Sequence, residues 1–171
     1  MNGNNFIGYE YKEVTAKYNT EALYSDSFKS LGWSLDERSP SINPNNVYLK
    51  FKRDRRIPNK SELTQVQQKV ESHIKSIEKL ENSKNIIPSS VAYSIGLVGS
   101  AFMAGATFSF LADFIVACII LAIPGFIAWG VAYLAYLRVK ESKTAKTAPM
   151  IDREYDAIYE ICDKINKVSM A

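Results

Sequence analysis

The chain has 171 residues and a formal net charge of +3; 47% of its residues are hydrophobic and 23% are charged. A charge this close to neutral gives no indication of nucleic-acid binding, and the two cysteines form no CxxC or Cys/His cluster that would indicate a metal site. The mean hydropathy of -0.13 resembles that of a soluble protein, but only because two charged ends offset an apolar centre.

The N-terminal residues 1–57 have the pattern of a small α+β domain. The alternating stretch YEYKEV, residues 9–14, predicts a strand. Residues 21–32 carry apolar side chains at helical spacing, preceded by a predicted N-cap at Asn19-Thr20 and followed by a predicted C′ cap at Gly32. We therefore expect a strand followed by a short helix.

Two more strands complete this domain. Alternation resumes at Trp33, and residues 36–46 predict a surface turn because they are rich in Pro, Asn and Ser. VYLKFKR, residues 47–53, is the clearest strand, with Val47 and Leu49 on one face. The order strand, helix, strand, strand predicts a helix covering one face of an antiparallel or mixed sheet.

The apolar centre, residues 86–137, contains a single charged side chain, Asp113. A bilayer core roughly 30 Å thick is crossed by about 20 apolar residues in a helix. The segment holds two such lengths, about residues 88–111 and 114–137. It predicts a transmembrane helical hairpin, so the fold class we expect is an α+β membrane protein.

Two amphipathic helices flank this hairpin. Residues 58–85 predict a coiled-coil-like helix, and residues 138–171 predict a basic linker, ending at Pro149, before a C-terminal amphipathic helix. We expect the two helices to pair, in one chain or across a dimer, and the lone histidine, His73, to be a polar member of the first seam. The apolar seams consist of Leu63, Val66, Val70, Ile77 and Leu80, and of Ile151, Tyr155, Ile158, Cys162 and Ile165.

Lysine and arginine placement predicts the orientation of the hairpin. Basic residues precede the first span and follow the second, whereas the intervening turn has none. The positive-inside rule therefore predicts that both termini are cytoplasmic. We expect no cleavable signal peptide, because the stretch MNGNNFIGYEYKE lacks a basic n-region and an apolar h-region.

Three features of the hairpin leave alternatives open. Ala92, Gly96, Ser100 and Ala104 form a small-residue stripe, which serves packing within the hairpin or association between copies. Pro124 and Gly125 predict a kink in the second span, which is a simple bend or a gate. Asp113 falls in the predicted turn and is either an N-cap of the second helix or a charged functional group.

The densest basic cluster consists of Lys50, Lys52, Arg53, Arg55 and Arg56. It is either a solvated strand end or a patch for anionic lipid, an acidic partner or a nucleic-acid backbone. The sequence contains no nucleophile motif, phosphate-binding loop or zinc motif. We therefore expect no catalytic residue, no cofactor and no metal.

Seven short stretches resemble those of a family of uncharacterised bacterial two-span membrane proteins: YEYKEV, SLGWSL, LKFKRDR, NKSELT, AFMAG, AIPGFI and YDAIYEIC. The first fifty or so residues also look like a small domain of unknown function that opens with a YEYK-type strand. The resemblance implies the two-span architecture and a bacterial origin. It transfers no catalytic residue, because neither family has an assigned activity.

The sequence thus favours a non-enzymatic protein of the bacterial inner membrane that anchors a cytoplasmic interaction or regulatory module. Its expected partners are membrane lipid, a second copy of the chain in a dimer and an unidentified cytoplasmic protein; we do not expect nucleic acid. The alternative is a small membrane-active oligomer, such as a channel, a holin-like protein or an immunity-like protein. The small-residue stripe and the Pro124-Gly125 pair favour that alternative.

Overall fold

The computed structural model describes the backbone of residues 8–170 and the side chains up to residue 167. The residues form a three-stranded antiparallel sheet and three helices, in an α+β arrangement. The elements are β1 (Tyr9–Lys17), α1 (Glu21–Ser30), β2 (Ser34–Pro40), β3 (Asn46–Asp54), α2 (Lys60–Leu111) and α3 (Ile115–Met170). The chain divides into two compact units, a sheet unit up to Glu78 and from Ile151 onward, and a hairpin unit, Lys79–Met150.

The sheet has the strand order β1-β3-β2, so β3 is central and the other two strands are edges. Alternation along β3 follows the expected pattern, because Val47, Leu49 and Phe51 are buried while the side chains between them are half-buried. The strand continues this alternation to Arg53, which is therefore also on the buried face. Phe51 packs on Phe28 of α1, with ring centroids 4.7 Å apart.

The strand β2 is longer than expected, because part of the predicted turn is strand. Residues 37–40 pair with β3 as far as Pro40, which lies opposite Val47. The ladder tolerates Pro40 because β2 is an edge strand. The reversal itself is short and begins around Asn43, whose carbonyl accepts the Asn46 N–H at 3.0 Å.

The helix α1 ends as the sequence predicts. Gly32 has a φ of +81°, and its N–H donates to the Lys29 carbonyl while the Trp33 N–H donates to the Phe28 carbonyl. This is a Schellman motif, in which a left-handed residue closes the helix. Thr20 occupies the N-cap position, but its hydroxyl donates to the Glu78 carboxylate at 3.0 Å instead of capping α1.

The predicted linker over residues 138–150 is wrong, because α3 runs without interruption from Ile115 to Met170. Lys, Glu and Ala dominate this stretch and favour helix as readily as they favour solvent. Pro149 lies inside the helix and does not end it. Likewise, the predicted helix over residues 58–85 and the first apolar segment are one helix, α2.

Candidate functional site

The amphipathic ends of α2 and α3 pair within this one chain. In the sheet unit, Nδ1 of His73 lies 2.5 Å from Oε2 of Glu154, which joins the two helices. Val70, Ile77, Ile151 and Ile158 of the predicted seams are buried. The other seam members, Leu63, Val66, Leu80, Tyr155, Cys162 and Ile165, are half-buried.

Three polar side chains attach α2 to the sheet and to α1. Gln67 accepts a hydrogen bond from the Trp33 indole at 2.9 Å, and Glu71 accepts one from Lys12 at 2.5 Å. Glu78 accepts the Thr20 hydroxyl bond described above. These positions recur at helical spacing and lie beside the buried Ile74, so one face of α2 combines an apolar contact with polar anchors. The apolar seam predicted from the sequence did not include this face, because Gln67 and Glu71 are polar residues of the kind that usually face solvent.

The polar centre of the sheet unit is the pair formed by Arg53 and Glu10. The Arg53 guanidinium is only 3% exposed; it lies 2.7 Å from the Glu10 carboxylate and 4.3 Å from the Trp33 ring centroid. Lys60 also bonds to Glu10. Burial raises the pKa of Glu10, but the hydrogen bonds and charges of Lys60 and Arg53 outweigh this effect and hold it below its usual value.

The five residues of the basic cluster do not form one surface. Arg53 points into the core, as described above, while Lys52 forms a 2.6 Å ion pair with Asp36. Lys50 lies over the Tyr11 ring at 5.3 Å and stands opposite Glu13 and Glu37 in the ladder. Only Arg55 and Arg56 remain exposed beyond the strand. Acidic neighbours therefore neutralise much of the predicted patch.

A groove of about 510 Å³ lies between α1 and the C-terminal part of α3. Its walls include Asp26 and Asp163, and Ser27 and Ser30 line it together with Cys162. Burial raises the pKa of Cys162, and the two hydroxyls offset this only in part. Within residues 8–167, no three His, Cys, Asp or Glu side chains are grouped so that they could hold a metal ion.

The hairpin unit contains the apolar parts of α2 and α3, which are long and apolar enough to cross a membrane. Only 11% of the most apolar stretch of each helix is buried inside the protein. The outward side chains are large, and they include Leu97, Phe108, Phe110, Val116, Ile120, Ile123, Phe126, Ile127 and Leu134. An apolar surface of this extent marks a site covered by lipid or by protein.

Hydroxyl groups in the apolar part of α2 are satisfied within the helix. Ser90, Ser94, Ser100 and Thr107 each donate to the carbonyl four residues earlier, at 2.9 to 3.0 Å. Such bonds remove the cost of placing an unpaired hydroxyl in an apolar surrounding. These four side chains therefore do not oppose burial in a bilayer.

The two helices of the hairpin approach each other at glycines that lie outside the predicted stripe. A Cβ at Gly99 would lie 2.7 Å from the Trp129 ring, and one at Gly125 would lie 2.9 Å from the Met103 sulfur. By contrast, a Cβ at Gly96 would meet no atom within 4 Å. Ser100 and Ala104 are exposed and Ala92 is half-buried. Within the hairpin the close contacts are therefore made at Gly99 and Gly125.

Asp113 lies in the predicted turn, where it ends the first helix of the hairpin. Its φ is +61°, its N–H donates to the Phe110 carbonyl, and the Phe114 N–H donates to the Ser109 carbonyl. This is the same Schellman arrangement that closes α1, with aspartate in the place of glycine. Pro124 lies within the continuous helix α3, next to Gly125, which faces Met103.

Comparison with known proteins adds no relative: no family model, no curated protein and no solved structure matches the chain.

Proposed function

We propose that this protein is a two-span integral membrane protein whose hairpin anchors a small interaction module. The observation that carries the proposal is the large apolar surface of the hairpin unit, since the core helix of a soluble protein would be mostly buried. The self-satisfied hydroxyls of α2 support it. Within the hairpin unit the two helices leave this surface uncovered, and a bilayer would cover it completely.

In this proposal both ends of the chain are cytoplasmic. The three-residue reversal at Ala112–Phe114 joins α2 to α3 directly, and it contains no lysine or arginine. At the other end of the hairpin, Lys140 hydrogen-bonds to the Tyr136 hydroxyl and lies 5.4 Å from its ring centroid. An aromatic ring beside a snorkelling lysine is typical of the headgroup region, and it supports placing this end at the cytoplasmic interface.

The sheet unit is then the functional module, and it acts by binding and not by catalysis. It is small, yet α2 and α3 brace it through buried apolar residues and through the polar anchors Gln67, Glu71 and Glu78. A rigid module on a membrane anchor suits recruitment or regulation of a cytoplasmic protein. Its surface includes the groove beside α1 and the face of the sheet that carries Tyr11 and Lys50.

Cysteine labelling in intact bacterial cells tests the topology. In a Cys118→Ala/Cys162→Ala background, we expect Asp113→Cys to react with a membrane-impermeant maleimide from outside and Glu160→Cys to react only after permeabilisation. The protein should also stay in the pellet after alkaline carbonate extraction. Extraction into the supernatant would overturn the membrane proposal, and labelling of both positions from the same side would overturn the two-span topology.

A membrane-active oligomer is the second candidate function. The open space beside Gly96 favours it, because the predicted stripe is free of packing within the hairpin at that position. Liposomes that contain the purified protein should then release a small charged dye trapped inside them, and Gly96→Leu should abolish the release. Intact liposomes at high protein density would exclude this function.

A further inference from the structure

The edge strand β1 presents a row of unpaired backbone groups. The Tyr18 N–H donates to the Asn45 carbonyl and the Arg55 N–H donates to the Gly8 carbonyl, so the even-numbered residues of β1 face β3. The odd-numbered residues Tyr9, Tyr11, Glu13 and Thr15 therefore direct their N–H and C=O groups away from the sheet. Among residues 8–167, no backbone segment pairs with that side of β1.

The opposite edge of the sheet is interrupted by a bulge and a proline, whereas β1 is regular; both edges carry charged side chains, which in β1 are Glu10, Lys12, Glu13 and Lys17. The strand β2 has a bulge between Leu35 and Glu37 and ends at Pro40. Bulges and prolines prevent a sheet edge from pairing with another strand. The strand β1 is nine residues long, keeps a continuous register with β3 and contains no proline.

We propose that β1 pairs with β1 of a second copy of this chain, antiparallel about a two-fold axis at Lys12, to form a continuous six-stranded sheet. In this register Tyr11 stands opposite Glu13 of the second copy, and Tyr9 stands opposite Thr15. Every outward N–H and C=O of these four residues then has a partner. The arrangement is isologous, which closes the assembly as a dimer.

Charge and hydrogen bonding disfavour the registers that are shifted toward the C-terminal end of β1. A two-fold axis at Glu13 would place two carboxylates directly opposite each other, which disfavours pairing. A register shifted toward Lys17 would require its carbonyl, which already accepts the Thr20 N–H at 3.0 Å. With the axis at Lys12, the two facing ammonium groups are each neutralised by Glu71 of their own chain, at 2.5 Å.

A proline substitution on the outward side of β1 tests the proposal in the full-length protein in detergent. Glu13→Pro removes an N–H that points away from β3, so it leaves the β1–β3 ladder intact. The matched control, Glu13→Ala, removes the same carboxylate but keeps the N–H. We expect native mass spectrometry to show a wild-type dimer whose dissociation constant rises about tenfold or more in Glu13→Pro, since each copy loses a hydrogen bond.

Crosslinking reports the register. In the Cys118→Ala/Cys162→Ala background, mixed Tyr11→Cys and Glu13→Cys chains should crosslink through a short bifunctional thiosulfonate faster than either variant with itself. A monomeric wild type would overturn the proposal, as would a dimer that Glu13→Pro leaves unchanged. A dimer lost on Gly96→Leu alone would place the interface in the apolar helices, and co-purification of a different protein that Glu13→Pro displaces would replace the second copy as the occupant.

Discussion

The buried pair of Arg53 and Glu10 makes a sharp prediction, because its two members are not equally replaceable. Glu10→Gln leaves the guanidinium, 3% exposed, without a countercharge; its remaining neighbours are the neutral amide, the Leu31 carbonyl at 3.4 Å and the Trp33 ring. Arg53→Met keeps much of the aliphatic packing and leaves Glu10 bonded to Lys60. We therefore expect the loss of the carboxylate to cost more than the loss of the guanidinium.

The expected magnitudes follow from the partners that remain. Glu10→Gln should lower the free energy of unfolding by about 2–3 kcal/mol, less than the roughly 3–5 kcal/mol for breaking a fully buried ion pair, because Glu10 is 21% exposed and the amide oxygen still accepts one bond. Arg53→Met should lower it by about 1–2 kcal/mol, through loss of the stacking on Trp33 and of one bond. The double variant should show a coupling of about 1 kcal/mol or more, because each substitution removes the same contact.

Trp33 provides the assay for this cycle. In a Trp129→Phe background it is the only tryptophan in the chain, so urea unfolding of the detergent-solubilised protein, followed by fluorescence, reports on the sheet unit. The Glu21 and Arg38 pair is the control, because Arg38 is half exposed and Glu21→Gln should cost less than about 1 kcal/mol. A larger effect of Arg53→Met than of Glu10→Gln would refute the reasoning.

Three further predictions concern pH, the hairpin and the cysteine. The pKa values of Glu10 and Glu21 lie below their usual range in the folded state. The stabilisation that these two carboxylates give is therefore complete above their unfolded-state pKa and is lost as the pH falls through their folded-state pKa. The urea concentration at the unfolding midpoint should fall below about pH 4.5, and it should fall less steeply in Glu10→Gln. Gly99→Ala should lower the melting temperature of the detergent-solubilised protein because its Cβ meets Trp129, whereas Gly96→Ala should leave it unchanged or raise it, and equal effects would contradict the packing seen here. Because burial raises the pKa of Cys162, its alkylation at pH 7 in a Cys118→Ala background should be slower than that of the urea-unfolded chain, and equal rates would show an open thiol.

Local pattern was sufficient to predict β1, β3 and the end of α1. Alternation over residues 47–52 identifies β3 because a half-buried strand must alternate, and Gly32 follows the last apolar residue of α1 where a left-handed residue is required. The part of the edge strand β2 that follows Leu35 was not predicted. Its outer residues are exposed and polar, so composition indicated a turn where pairing with β3 imposes a strand.

The burial of Arg53 was not predictable from the cluster in which it lies. Alternation from Val47 places Arg53 on the apolar face, but the basic run suggested solvent, and only the register with β1 shows that Glu10 stands opposite Arg53 and can pair with it there. The same limit applies to α2, where Gln67 and Glu71 look solvated until Trp33 and Lys12 are placed beside them. Side-chain length allows such polar groups to reach a partner across a helix–sheet interface, and sequence periodicity carries no information about that partner.

The small residues of the hairpin show why a single-helix pattern identifies the wrong contact. A four-residue repeat drifts around a helix by about 40° at each step, so a stripe that begins near the interface at Ala92 has turned away from it by Ala104. The packing face depends on the large side chains of the facing helix. Trp129 of α3 occupies the space beside Gly99 of α2, and Met103 of α2 occupies the space beside Gly125 of α3. The close packing is therefore a property of the pair of helices, and the stripe that remains on the outside is available for lipid or for another copy.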